Sequence, residues 1–110
     1  MGLHIKASKT DDHMKQLSNE EIAGSLQNLP GWARYDNAIG RDFQFADFNE
    51  AFAFLTRIAM LSEKMDHHAN WSGVYNKVSI RLSTHDAGGV TQKDIKMAEA
   101  IAQYAVGAKA

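Results

Sequence analysis

The sequence predicts an α+β fold: a single-domain two-layer sandwich, with a four-stranded antiparallel sheet and three helices packed on one face. Three observations predict it. Three segments open with the same helix-capping pattern, and the stretches between them carry the period-2 alternation of strands. The elements read from this patterning run helix, strand, strand, helix, strand, helix, which places three of the four strands and gives an antiparallel sheet with helices on one face. At 110 residues, 45% of them hydrophobic and 23% charged, the chain is large enough for one core and one domain.

The first helix is expected from about Asn19 to Leu29, closed by Pro30-Gly31. Ser18 stands three positions before Glu21, so the acid can reach back to the cap and favour the positive end of the helix dipole. Asp47 with Glu50 and Thr91 with Asp94 repeat that spacing at the starts of the other two helices. Leu17 with Ile22, and Val90 with Ile95, also sit at hydrophobic-staple spacing. A hairpin follows the first helix: Trp32 to Tyr35, a turn at Asp36-Asn37, then Ile39 to Phe45 with Phe43 and Phe45 alternating.

The second helix is expected from Phe48 to roughly His67. Phe48, Phe52, Leu55 and Ala59 form one apolar stripe; Phe54, Ile58, Leu61 and Met65 form another on a different face. A sheet covers only one of them, so the other is expected to pair helices in a homo-oligomer. Next, Val74 to Ser83 reads as one half-buried strand, with Val74, Val78, Ile80 and Leu82 on its apolar face. Asp86-Ala87-Gly88-Gly89 turns into the third helix, from Gln92 towards Val106, with Ile95, Ala98, Ile101, Ala102 and Ala105 on one face. Residues 1–13, which include His4 and His13, are polar and aperiodic and are expected to form a flexible leader before a domain spanning 14–110.

Composition narrows the function. A formal net charge of -1 gives no basic field for nucleic acid. The absence of cysteine removes disulfides, zinc–thiolate sites and thiol nucleophiles, and suits a reducing compartment. No run has the length of a membrane span or signal peptide, so a cytoplasmic location is expected.

The informative region is Glu63-Lys64-Met65-Asp66-His67-His68-Ala69-Asn70-Trp71, answered by Ser83-Thr84-His85-Asp86. Three of the five histidines fall between positions 67 and 85. Histidine titrates near neutrality, so such a cluster points to proton transfer or to metal binding. Adjacent helical residues point about 100° apart, so His67 and His68 are poorly placed to chelate one ion together. A site built from one of them, His85 and either Asp66 or Asp86 stays open, as the weaker option. A structural reading is also open: a histidine at a helix C-terminus satisfies the dipole, Trp71 is core, and Asp94 is a helix-start acid. The third reading is acid–base chemistry. A helix end and a strand end stop at one turn region, where three imidazoles surround a pocket and Asp86 or Asp94 orients one of them. That chemistry implies dehydration, hydration or isomerisation.

At these residues the chain closely resembles the pterin-4a-carbinolamine dehydratase family. The likeness runs through Glu63 to Trp71, Val74-Tyr75-Asn76-Lys77-Val78, Leu82-Ser83-Thr84-His85-Asp86, Gly89-Val90-Thr91 and Asp94, with Gly31-Trp32 and Phe43 to Arg57 upstream. It covers roughly Leu17 to Val106. The resemblance implies a hydro-lyase that dehydrates 4a-hydroxytetrahydropterin (4a-hydroxytetrahydrobiopterin or a relative) to the quinonoid dihydropterin, recycling the cofactor of an aromatic amino acid hydroxylase such as phenylalanine hydroxylase. Pterin is then the substrate, and neither a further cofactor nor a metal is implied. By likeness His67 and His85 are acid–base groups and His68 positions the pterin, all three counted as catalytic. Glu63, Ala69, Thr84, Asp86 and Ala87 match positions lining the substrate pocket, partly through backbone groups.

Two departures stand out. Ala69 replaces a common proline, and Asp86 replaces a common glutamate, shortening its reach by one methylene. The family also implies homodimers or homotetramers. Some animal members serve as the dimerisation cofactor of a hepatic homeodomain transcription factor, so a protein-binding module is the alternative to the enzyme.

Overall fold

The computed structural model describes residues 15–105. Within it, α1 spans Asn19–Leu26, β1 Ala33–Tyr35, β2 Ala38–Gln44, α2 Phe48–Met65, β3 Asn70–Val74, β4 Lys77–Leu82 and α3 Gln92–Tyr104, with a 3-10 turn at His85–Ala87. The sheet is antiparallel throughout, in the order β1-β2-β4-β3. Three helices and a four-stranded sheet are the α+β class the sequence predicts. The expected leader, with His4 and His13, and the expected helix end at Val106 lie outside the described residues.

The predicted caps form. Ser18 and Glu21 make a reciprocal capping box, as do Thr91 and Asp94. At α2, Asp47 Oδ1 accepts from the Glu50 N–H at 2.8 Å, but the Glu50 carboxylate takes the Ala46 N–H instead of the cap's own. Helix α1 ends at Leu26, three residues before the predicted stop, and the chain continues through turns to Leu29.

The core lies between the sheet and the helices. Ile39, Phe43, Val78, Ile80 and Leu82 from the central strands meet Phe54, Ile58 and Leu61 of α2 and Ile95, Ala98 and Ile101 of α3. Phe43, Phe45 and Phe54 stack with ring centroids 4.8–6.4 Å apart, and Trp32 meets Phe43 edge-on. Of the two stripes on α2, the one with Phe54, Ile58 and Leu61 is buried. Phe48 and Phe52, from the other, remain 54% and 57% exposed.

Two expectations are corrected. The run 74–83 is not one strand but the turn and second arm of a hairpin whose first arm is Asn70–Val74. Tyr75 takes a left-handed φ of 54°, Val74 pairs with Lys77, and Asn76 anchors the turn by donating from Nδ2 to the Phe45 carbonyl. Val74 is therefore exposed, while Val78, Ile80 and Leu82 stay buried. Trp71 is not core either: it sits on the edge strand β3, 47% exposed. On the sheet's outer face Gly40 makes room for a neighbour. Any Cβ there would fall 2.5 Å from Arg81 Cδ, and the Arg81 guanidinium instead lies over Tyr35, 3.9 Å from the ring centroid.

Candidate active site

Three chain segments converge on one cleft. The first is the exit of α2. Asp66 adopts a left-handed conformation (φ 52°, ψ 44°), donates its N–H to Glu63 O, and the His67 N–H reaches back to Ser62 O. This pair of bonds is a Schellman closure, usually made with glycine. It stops the helix two residues earlier than the sequence predicts and throws His67 and His68 into different environments. Ser62 Oγ also takes the Ala69 N–H, tying the exit segment to the helix.

The second segment follows β4. Thr84 N–H donates to Gly89 O at 2.8 Å and closes the loop around the His85–Ala87 turn, with Gly88 left-handed at φ 76°. Thr84 is buried, whereas His85 and Asp86 are presented at the exposed tip. The third segment is the first turn of α3, where Asp94 is wholly buried.

Asp94 joins the three. Its Oδ2 accepts the Thr91 N–H at 2.8 Å, completing the helix cap, and the Thr84 hydroxyl at 2.9 Å. Its Oδ1 lies 2.5 Å from His67 Nε2, and the His67 side chain is 10% exposed. The hydroxyls of Thr84 and Thr91 meet at 2.7 Å. A buried carboxylate is tolerable only when its oxygens are satisfied, and here both are. With Nε2 committed to Asp94, Nδ1 is the nitrogen through which His67 can exchange a proton with a bound molecule.

The cleft, about 330 Å³, is lined by Asp66, His67, His68, Ser83, Thr84, His85, Asp86 and Lys93. All three predicted imidazoles therefore share it, with Thr84 and Asp86. His68 is exposed and stands 3.8 Å from Glu63 Oε1, so Glu63 touches the site through that histidine. Neither Ala69 nor Ala87 lines the cleft; they lie in the segments that carry it. Of the other lining residues, Asp66 was weighed only as a metal carboxylate and Ser83 only as part of a histidine-bearing run, while Lys93 was not singled out by sequence reasoning. Asp94 was weighed both as a helix-start acid and as a carboxylate orienting an imidazole, and the one side chain does both, capping α3 and holding His67. Among the described residues no three His, Asp or Glu side chains group as a metal ion would need.

Comparison with known proteins decides the family. Residues 15–104 match the model of the pterin 4 alpha carbinolamine dehydratase family. The chain belongs to that family. A protein of Bradyrhizobium sp. (strain ORS 278), named provisionally as a pterin-4-alpha-carbinolamine dehydratase, is 52% identical over 90 residues, which cover 80% of this chain and 90% of the relative. A Prochlorococcus marinus (strain MIT 9515) protein with the same provisional name is 51% identical over 85 residues, 77% of this chain and 88% of its own. The crystal structure of a transcriptional coactivator/pterin dehydratase from Brucella melitensis superposes with a TM-score of 0.81 at 42% identity, covering 83% of this chain and 99% of that one. In this dehydratase family member, the segments that match run through every element that builds the cleft.

Proposed function

We propose that the chain is a hydro-lyase that converts 4a-hydroxytetrahydropterin to quinonoid dihydropterin by histidine acid–base catalysis, and so returns the pterin cofactor of an aromatic amino acid hydroxylase to use. The observation that carries this reading is the buried Asp94–His67 pair at the wall of a cleft that His68 and His85 also line. Membership of the dehydratase family supports the substrate class.

The reaction removes one water. An imidazolium donates its proton to the 4a-hydroxyl as the C4a–O bond breaks, and the N5 proton passes to a base as the C4a=N5 bond forms. Atoms and charge balance without an oxidant. Two proton-transfer groups on different segments meet the need for an acid and a base. His67 is held in one tautomer by Asp94, while His85 on the loop tip is open to substrate and solvent. His68, exposed beside Glu63, is assigned to positioning the pterin. The exposed backbone of His85 and Asp86 and the Asp86 carboxylate offer acceptors and donors to the aminopyrimidinone edge.

The test is a coupled assay in which a hydroxylase releases the 4a-hydroxypterin in situ and quinonoid dihydropterin is followed by absorbance. Wild type exceeds the spontaneous rate, and a His67→Ala, His85→Ala double variant falls to it. A wild type no faster than the spontaneous rate contradicts the proposal.

The exposed face of α2, with Phe48, Phe52 and the 70%-exposed Met60, supports a second, compatible reading. A face of this kind is costly to leave in water, and a second copy of the chain covers it with the same apolar side chains.

A further inference from the structure

Lys93 stands in the cleft without a task in the fold. It is the second residue of α3, the turn where the helix dipole is positive and where Thr91 and Asp94 have already made the cap. A cation at that end of a helix is placed against the local field, and acids are the residues favoured there. Its backbone N–H donates to Thr91 Oγ1, a contact any residue but proline would make. The side chain is partly buried and lines the cleft with His67, His68 and His85. Two carboxylates, Asp66 and Asp86, line the same space, yet Lys93 is in no ion pair among the described residues. Among the described residues no other lysine or arginine lines that cleft. A basic donor thus faces a polar cleft from a position where it works against its own helix.

We propose that Lys93 is a substrate-binding residue whose ammonium donates a hydrogen bond to an acceptor oxygen of the bound pterin. This rests on the pterin reading of the cleft given above. Apart from the departing 4a-hydroxyl, a bond to which would change kcat, acceptor oxygens occur in two places on such a molecule: the C4 carbonyl of the ring and the hydroxyls of a C6 side chain. The same donor serves either, and the two are separable by substrate. A charged hydrogen bond formed in both ground and transition states lowers KM and leaves kcat largely alone.

The experiment compares wild type, Lys93→Gln and Lys93→Arg with two 4a-hydroxytetrahydropterins generated in situ, one with a methyl at C6 and one with a polyhydroxyalkyl chain. Melting temperatures are measured in parallel. Lys93→Gln is expected to raise KM roughly tenfold to a hundredfold, the range for loss of a hydrogen bond to a charged group. Lys93→Arg recovers most of it. The melting temperature of Lys93→Gln stays level or rises, because a cation has left the positive helix end; a structural role would lower it. A KM effect on both substrates assigns the bond to the ring carbonyl, and an effect on the polyhydroxyalkyl substrate alone assigns it to the side chain. Unchanged KM for both, with wild type well above the spontaneous rate, overturns the proposal and leaves the dehydratase reading intact. Wild type at the spontaneous rate overturns both.

Discussion

Asp94 concentrates three obligations in one carboxylate. It caps α3 through the Thr91 N–H, accepts the buried Thr84 hydroxyl, and holds the Nε2 edge of His67. Charge-assisted bonds of this kind are strong, and removing one partner of a buried pair is expensive. Asp94→Asn is expected to lose about 3 kcal/mol of stability and to lower kcat at least tenfold, by releasing the tautomer and orientation of His67. Urea denaturation followed by the coupled assay on the folded fraction checks both. Loss of stability with kcat intact would show that the carboxylate serves the fold alone. Sequence reasoning offered both roles for this residue without choosing between them. A Thr three positions before an Asp at a helix start is already a complete account of the acid, and nothing local reveals that its other oxygen faces a histidine 27 positions earlier. His67, His68 and His85 were legible because their density in the sequence has no other use. Lys93 was not, because a lysine near a helix start reads as a solvated residue.

At the scale of elements, the capping chemistry of all three helices was legible, since a cap is a contact within four residues. The β3–β4 hairpin was not. Its turn carries neither glycine nor proline, and Tyr75 occupies the left-handed region that a reader assigns to glycine or asparagine. The apolar residues at even positions also hide the turn: Val74 and Lys77 are register partners on one face, so Val74 is out of phase with the buried Val78, yet in sequence it extends the same alternation. The central strands carry a testable electrostatic feature of their own. Asp42 and Ser79 are register partners on β2 and β4; the Ser79 hydroxyl donates to Asp42 Oδ1 at 2.7 Å and Arg81 at 3.1 Å. The Ser79 bond, opposed by burial and assisted by the Arg81 bond and charge, holds the Asp42 carboxyl below its ordinary value. A carboxyl depressed in the folded state adds stability above its unfolded pKa and loses it as pH falls through the folded one. Asp42→Asn is therefore expected to soften the fall in stability on acidification below about pH 4, the ordinary aspartate range. Urea midpoints of wild type and variant, taken from neutral pH downward, measure it. Parallel curves would mean that the bonds to Ser79 and Arg81 persist equally in the protonated form.

On the scale of the whole molecule, the fold hides one stripe of α2 and leaves the other in water. The sequence showed two stripes and could not say which the sheet would take; Phe54 packs on Phe43 and Phe45, and Ile58 and Leu61 enter the same core with it. Phe48 and Phe52, stacked at 5.7 Å, remain outside. Sedimentation velocity is expected to show a species larger than the 12.2 kDa chain for wild type, and a monomer for Phe52→Glu with its helical signal retained. A wild-type monomer at micromolar concentration would remove the helix-paired assembly while leaving the cleft unaffected. Among the described residues no helix is long and apolar enough to cross a membrane.

The central claim is that the shared histidine cleft dehydrates a 4a-hydroxypterin, and His85 offers the cleanest way to test it. His85 is exposed, and no described hydrogen bond or ion pair uses its side chain, so His85→Ala is expected to keep the wild-type melting temperature within the small range typical of surface changes. The measurement is the rate of quinonoid dihydropterin formation from 4a-hydroxytetrahydropterin released in situ, for wild type and for folded His85→Ala. Wild type well above the spontaneous rate, with His85→Ala reduced by about 10²- to 10⁴-fold in enzyme-dependent rate, is the predicted result for loss of a general acid or base. An enzyme-dependent rate in His85→Ala equal to that of wild type would contradict the account.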